Sequence, residues 1–78
     1  MAREVDYEKT GRLLRNMRAY RQKTVGELAQ ETMISRNALY NYERGDSIPA
    51  TYQLCVLADY YGCMLDDLLV YKPGGGVK

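Results

Sequence analysis

The side chains best equipped for recognition chemistry lie in one stretch, SRNALYNYERG, from Ser35 to Gly45. At a helical spacing of about 100° per residue, Arg36, Asn37, Tyr40, Asn41 and Arg44 share one face. Ile34, Ala38, Leu39 and Tyr42 gather on the other. Every surface helix has a polar face, but one that only keeps a helix in water favours Lys and Glu at four-residue spacing. This face carries no carboxylate. Arg and Asn are the side chains that pair bidentately with guanine and adenine in the major groove. The start of such a helix also presents free N–H groups suited to phosphate. The chemistry on offer is hydrogen bonding to base edges and to a polyanion, which points to sequence-specific binding of double-stranded DNA.

Bond-making chemistry finds no comparable constellation. The chain has no His, and its Ser and Cys residues lack an obvious base partner. Asp66 and Asp67 are adjacent, so a helix turns them to different sides and they are no catalytic pair. The only glycine cluster, Gly74–Gly76, is followed by no helix and is no phosphate loop. Cys55 and Cys63 are too few for a disulfide framework and, without His or a third Cys, too few for zinc. Both lie in apolar, helix-like sequence and are expected to be buried, reduced thiols. The expectation is a binding protein, not an enzyme, with no cofactor and no metal.

Charge is distributed unevenly. The net charge is +1, yet Lys9, Arg12, Arg15, Arg18, Arg21 and Lys23 follow one another with no acid between them. From Gly45 onward only Lys72 and Lys78 stand against Asp46, Asp59, Asp66 and Asp67. A basic half suits a polyanionic partner. No apolar run is long enough to span a membrane, and no apolar stretch follows the charges of MAREVDYEKTG as in a secretory signal. The expected location is the cytoplasm.

Elements must hold the polar face in place, and the caps predict them. Asp6 starts a helix running to about Gln22, within which Gly11 costs about 1 kcal/mol relative to Ala if exposed. Thr24 with Glu27 makes a capping box at the head of TVGELAQETM, whose inner face is Val25, Leu28, Ala29 and Thr32. Ser35 caps the next helix, and Gly45 stops it in the left-handed conformation. Only Met33 and Ile34 separate these two helices, so they cross steeply as a helix-turn-helix. DSIPA is a loop, a fourth helix runs from about Ala50 to Tyr61, and MLDDLL is a short last helix. The core is expected to hold Leu14, Met17, Leu28, Ala29, Ile34, Leu39, Tyr42, Leu54, Leu57, Ala58, Leu65 and Leu68. Residues 1–5 form an arm, 6–71 the domain, and 72–78 a flexible tail.

From Gly11 to Leu69 the chain resembles the Cro and phage-repressor (XRE) family of helix-turn-helix domains. GRLLRNMR, TVGELAQET, SRNALYNYERG, Pro49 and LCVLADYYGCMLDDLL carry the resemblance, in that order. It implies an all-α, lambda-repressor-like bundle of four or five helices. It implies base-facing positions at Ser35, Arg36, Asn37 and Asn41. Thr24 and Val25 would approach phosphates; Tyr40 and Arg44 are assigned to the backbone as well. Arg18 and Glu43 match a partly buried, structural ion pair, and Ala29 matches a position kept small for close helix approach. Three positions depart from the family. Met33 stands where Gly often takes positive φ, Val25 where a Gln often reaches the DNA, and Met64 where Ser or Thr caps the last helix, leaving an N–H to water.

One helix reads only about four to six base pairs, so specificity calls for a dimer on a two-fold operator. Tyr60, Tyr61 and Tyr71 serve either core packing, as the inward spacing of Tyr61 with Leu54, Leu57 and Ala58 suggests, or a dimer patch, because Tyr is favoured at interfaces. The alternative is a protein-interaction module on the same fold, such as an antitoxin component. The near-neutral charge favours that alternative; Arg36, Asn37 and Asn41 favour DNA.

Overall fold

Three of the four α-helices begin at a side-chain cap in the computed structural model, which describes residues 3–73. Asp6 accepts the Lys9 N–H at 2.9 Å and opens α1, Tyr7–Tyr20. The Thr24 hydroxyl accepts the Glu27 N–H at 3.0 Å, and the Glu27 carboxylate accepts the Thr24 N–H at 2.9 Å, opening α2, Val25–Thr32. Ser35 Oγ accepts the Ala38 N–H at 3.1 Å and opens α3, Arg36–Arg44. The turn between them has Met33 at φ 63°, with its side chain in solvent. α4 spans Thr51–Tyr61 behind buried Pro49. No helix among the described residues is long and apolar enough to cross a membrane.

The fifth segment is a single 3₁₀ turn, Leu65–Leu68, not an α-helix. The N–H expected to be left to water is satisfied: Asp67 donates to the Met64 carbonyl at 3.0 Å. The Asp67 carboxylate accepts the Met64 N–H, also at 3.0 Å. The acid supplies the closure that a Ser or Thr cap would have made, and i→i+3 bonds tighten so short a piece.

The core is made by Leu14, Val25, Leu28, Ile34, Leu39, Tyr42, Leu54, Leu57, Ala58, Tyr61 and Leu68. Three expected members differ. Leu65 lies at the solvent, because the 3₁₀ turn directs only Leu68 inward, and Met17 and Ala29 are half-buried at the core's edge. The thiols also differ from expectation: Cys55 is exposed on the outer side of α4 and Cys63 is half-buried, packed against the core. Period 3.6 puts Leu54, Leu57, Ala58 and Tyr61 inward and leaves Cys55 out. Tyr61 is a core residue, and its burial pushes the phenol up to about 12.

Gly11 is buried, and α1 packs on α3 there without any intervening side chain. The helix-propensity penalty of glycine is therefore outweighed at this position by the close approach it permits. The chain ends meet. The Asp6 N–H donates to the Val70 carbonyl at 2.7 Å, and the Lys72 N–H donates to the Glu4 carbonyl at 2.8 Å. Val5 and Tyr71 form an isolated antiparallel bridge. Thr10, fully buried, accepts the Val70 N–H at 2.9 Å. Residues 3–5 are thus joined to the domain through residues 70–72. The rest of the expected tail, residues 74–78, lies outside the described residues.

Candidate nucleic-acid interface

The inner face of α3 is sealed: Leu39 and Tyr42 are in the core. That burial fixes the roll of the helix and sends Arg36, Asn37, Tyr40 and Arg44 outward, with Asn41 half-exposed between them. A second restraint acts at the far end. Arg18 Nε donates to Glu43 Oε2 at 2.7 Å and Arg18 Nη2 to Glu43 Oε1 at 2.8 Å, a two-pronged pair. Arg18 Nη1 also donates to the Lys23 carbonyl at 2.9 Å. The hydrogen bonds that Arg18 donates to Glu43 hold its pKa above the ordinary value. One guanidinium therefore ties the last turn of α1, the approach to α2 and the end of α3.

The first turn of α3 presents Arg36 and Asn37 to solvent. Ser35 is exposed too, but its oxygen is engaged as the helix cap, which leaves its O–H as a donor. The Arg36 guanidinium does not stand free: it lies across the start of α2. A Cβ built on Gly26 would sit 2.9 Å from Arg36 Nη2 and 3.1 Å from its Cζ. Absence of a side chain at Gly26 thus creates the seat on which Arg36 rests. Gly26, Ala29, Gln30, Ser35 and Arg36 line an open groove between the two helices.

On α2, Thr24 is exposed and Val25 is not. The Val25 side chain is 6% exposed and belongs to the core, so no contact to phosphate passes through it. The position directly after the cap points inward because Val25, Leu28 and Thr32 share the buried stripe. What remains outward is backbone: the N–H groups of Val25 and Gly26 have no intrahelical acceptor. Lys23 beside them is paired, its ammonium donating to Glu31 at 2.8 Å. That bond raises the Lys23 pKa and lowers that of Glu31.

Arg44 is also less free than a lone cation. Its Nε donates to the Asp46 carboxylate at 3.0 Å, and its Nη2 donates to Asn41 Oδ1. Asp46 lies beyond the helix, so the wheel of residues 35–45 did not contain it. The signal was available in Gly45–Asp46: a left-handed Gly folds the chain back over the last turn, and an acid just after it meets a preceding Arg. Arg15 is a second residue not singled out. It is exposed, with Nε 4.0 Å from Glu43 Oε1.

The tyrosines considered for an interface are used within the chain. Tyr61 is core. Tyr60 donates its hydroxyl to Glu31, and the Arg3 guanidinium lies 4.0 Å over the Tyr71 ring. Arg21 donates to the Tyr61 carbonyl at 3.2 Å, a cation at the carbonyl end of α4, where the helix dipole favours it. Among the described residues no group of His, Cys, Asp and Glu is placed to hold a metal.

Comparison with known proteins agrees with this geometry. No curated protein matches the chain. The DNA-binding domain of BldD from S. venezulae superposes with a TM-score of 0.72 at 25% identity, over 83% of this chain and 97% of that one. A crystal structure of the DNA-binding domain of BldD gives 0.71, also at 25% identity, over 83% of this chain and 94% of that one. The clp gene regulator ClgR from C. glutamicum gives 0.67 at 29% identity, over 80% of each chain. The family model described as helix-turn-helix domain matches residues 10–69, which spans α1 to the 3₁₀ turn, and this chain belongs to that family.

Proposed function

We propose that this chain is a DNA-binding transcriptional regulator, not an enzyme, and that it reads the major groove with α3. The carrying observation is the first turn of α3. Arg36 and Asn37 are exposed there while Leu39 and Tyr42 lock the helix from behind. Arg36, Asn37 and Asn41 read bases, with Ser35 as a donor beside them. Thr24, the Val25 and Gly26 N–H groups, Tyr40 and Arg44 meet phosphates. One such reading helix covers one half-site, so two copies bind a two-fold operator in the cytoplasm with half-sites about one helical turn apart, or a multiple of it. The resemblance to DNA-binding domains supports this reading over a protein-interaction module.

The test is binding of variants to a preferred duplex, selected from a random pool, and to its single-base variants at fixed salt. Arg36→Ala and Asn37→Ala are each expected to cost about 1–3 kcal/mol on the preferred site and to relax preference at one base pair. Thr24→Ala weakens all duplexes alike, since phosphate contacts carry no base information. If Arg36→Ala and Asn37→Ala bind the whole set like the parent, α3 is not the reading helix. A salt titration separates DNA from a protein partner, because only the former releases condensed counterions.

Gly26→Ala tests the seat of Arg36. The added methyl meets the movable end of a side chain, so the fold is retained and the helix gains up to about 1 kcal/mol. Arg36 is displaced, and binding to the preferred duplex weakens. In an Arg36→Ala background the same change is neutral for binding. A double-mutant cycle is expected to give a coupling of about 1 kcal/mol; additive effects would show that Gly26 does not position Arg36.

A further inference from the structure

Asn41 stands midway along the outer side of α3, and its carboxamide is oriented from within the chain. Arg44 Nη2 donates to Asn41 Oδ1. A guanidinium has donors only, so the carboxamide must turn its oxygen, and not its NH₂, toward Arg44. Arg44 is held in turn, because its Nε donates to Asp46 Oδ2 at 3.0 Å. Asp46 is held by backbone: its N–H donates to the Asn41 carbonyl at 2.9 Å, while the Gly45 N–H donates to the Tyr42 carbonyl at 3.2 Å. These are the two bonds of a Schellman turn, made possible by Gly45 at φ 82°. Asp46, Arg44 and Asn41 therefore form a chain whose every link has only one polarity.

That polarity bears on base choice. An Asn that reads adenine uses both ends of its carboxamide: the oxygen accepts from N6 and the NH₂ donates to N7. With its oxygen drawn to Arg44, Asn41 offers two N–H donors. The purine edge with two acceptors is guanine, through N7 and O6. To read adenine, the carboxamide oxygen must serve Arg44 and adenine N6 together, one lone pair to each, which weakens its charge-assisted bond; to read guanine it keeps that bond whole. We propose that Arg44 and Asp46 are positioning residues that make Asn41 select guanine over adenine. The inference rests on the DNA-reading role proposed above and adds the base class and the residues that set it.

The experiment uses the full chain, the selected duplex and its single-base variants. Parent, Asn41→Ala, Arg44→Ala, Arg44→Lys and Asp46→Ala are compared, with far-ultraviolet circular dichroism verifying that each is folded. At the pair where Asn41→Ala removes discrimination, the parent is expected to favour guanine over adenine by up to about tenfold, the factor for the whole of one charge-assisted hydrogen bond. Arg44→Ala should cut that ratio to about threefold or less and lower affinity for every duplex. Arg44→Lys, which retains a cationic donor, should keep part of the ratio. Asp46→Ala should also narrow the ratio, but raise overall affinity, because a carboxylate no longer faces the phosphates. The same narrowing with opposite changes in overall affinity is not what a merely structural role produces. Adenine preferred at the Asn41 pair, or a ratio unchanged in Arg44→Ala, overturns the proposal. If Asn41→Ala alters no pair while Arg36→Ala alters one, the proposal fails and the DNA-reading role stands. If no variant changes binding to any duplex, both fail.

Discussion

Arg18→Ala or Glu43→Ala, each made alone, is expected to lower the unfolding free energy by about 3–5 kcal/mol, the cost of stranding one charge of a buried pair. The Glu43 side chain is 6% exposed and that of Arg18 17%. Both carboxylate oxygens are already used by Arg18. Without Arg18, the nearest cation left to Glu43 is Arg15, at 4.0 Å. Arg18→Ala should therefore cost more in an Arg15→Ala background than in the parent. The paired replacement Arg18→Met with Glu43→Leu should cost far less than either single change, because it leaves no buried charge. A chain of this size has about 4–12 kcal/mol in total at the usual 0.05–0.15 kcal/mol per residue, so either single variant removes a large share of it and, at the low end, unfolds the chain. Denaturant unfolding of the four variants checks this. Single-variant losses of about 1 kcal/mol or less, as for an exposed pair, would count against it. The consequence for binding follows from position: Glu43 is on α3, so losing the tie frees the end of the helix proposed to read the groove.

Gly11→Ala is the second large effect, expected at about 2–3 kcal/mol of destabilisation even after the gain of about 1 kcal/mol that Ala brings to a helix. The new Cβ would lie 2.6 Å from the Glu43 carbonyl oxygen and 2.7 Å from that of Tyr42. Both are backbone atoms and cannot rotate away. α1 must lift from α3, and the Arg18–Glu43 pair spans that same contact, so the damage is shared. The melting temperature should fall by on the order of 10 °C or more. A Gly11→Ala variant as stable as the parent would mean that the two helices are not in direct contact here. Combining Gly11→Ala with Glu43→Ala should cost less than the sum, since the first change already loosens the pair.

The polar face of α3 shows how far a helical wheel reaches. Period 3.6 correctly separates Leu39 and Tyr42 from Arg36, Asn37 and Tyr40, because burial of an amphipathic helix is decided by its own stripe. The same wheel counts no carboxylate, yet Asp46 meets Arg44 and alters what Asn41 can offer. A wheel ends where the helix ends, and the chain reversal at Gly45 brings in a residue from outside it. Val25 illustrates the opposite case. Family position assigns it to phosphate, while its apolar side chain goes to the core and leaves only backbone N–H outward.

What the sequence determined by itself was local. Caps at Asp6, Thr24 and Ser35 and the stop at Gly45 place the helix ends, because each satisfies backbone groups within a few residues. The inward residues of α3 and α4 follow from spacing alone. What only the tertiary structure decided involves groups far apart in the chain. Gly11 is indispensable because two carbonyls of α3 lie over it, not because of anything in α1. Gly26 matters because Arg36 rests on it, and Tyr60 meets Glu31, Tyr71 meets Arg3 and Tyr61 enters the core. Residues 3–5 and 70–72 meet across the whole length of the domain. Such contacts are set by how helices approach one another in space, and no period or cap along the chain encodes that distance.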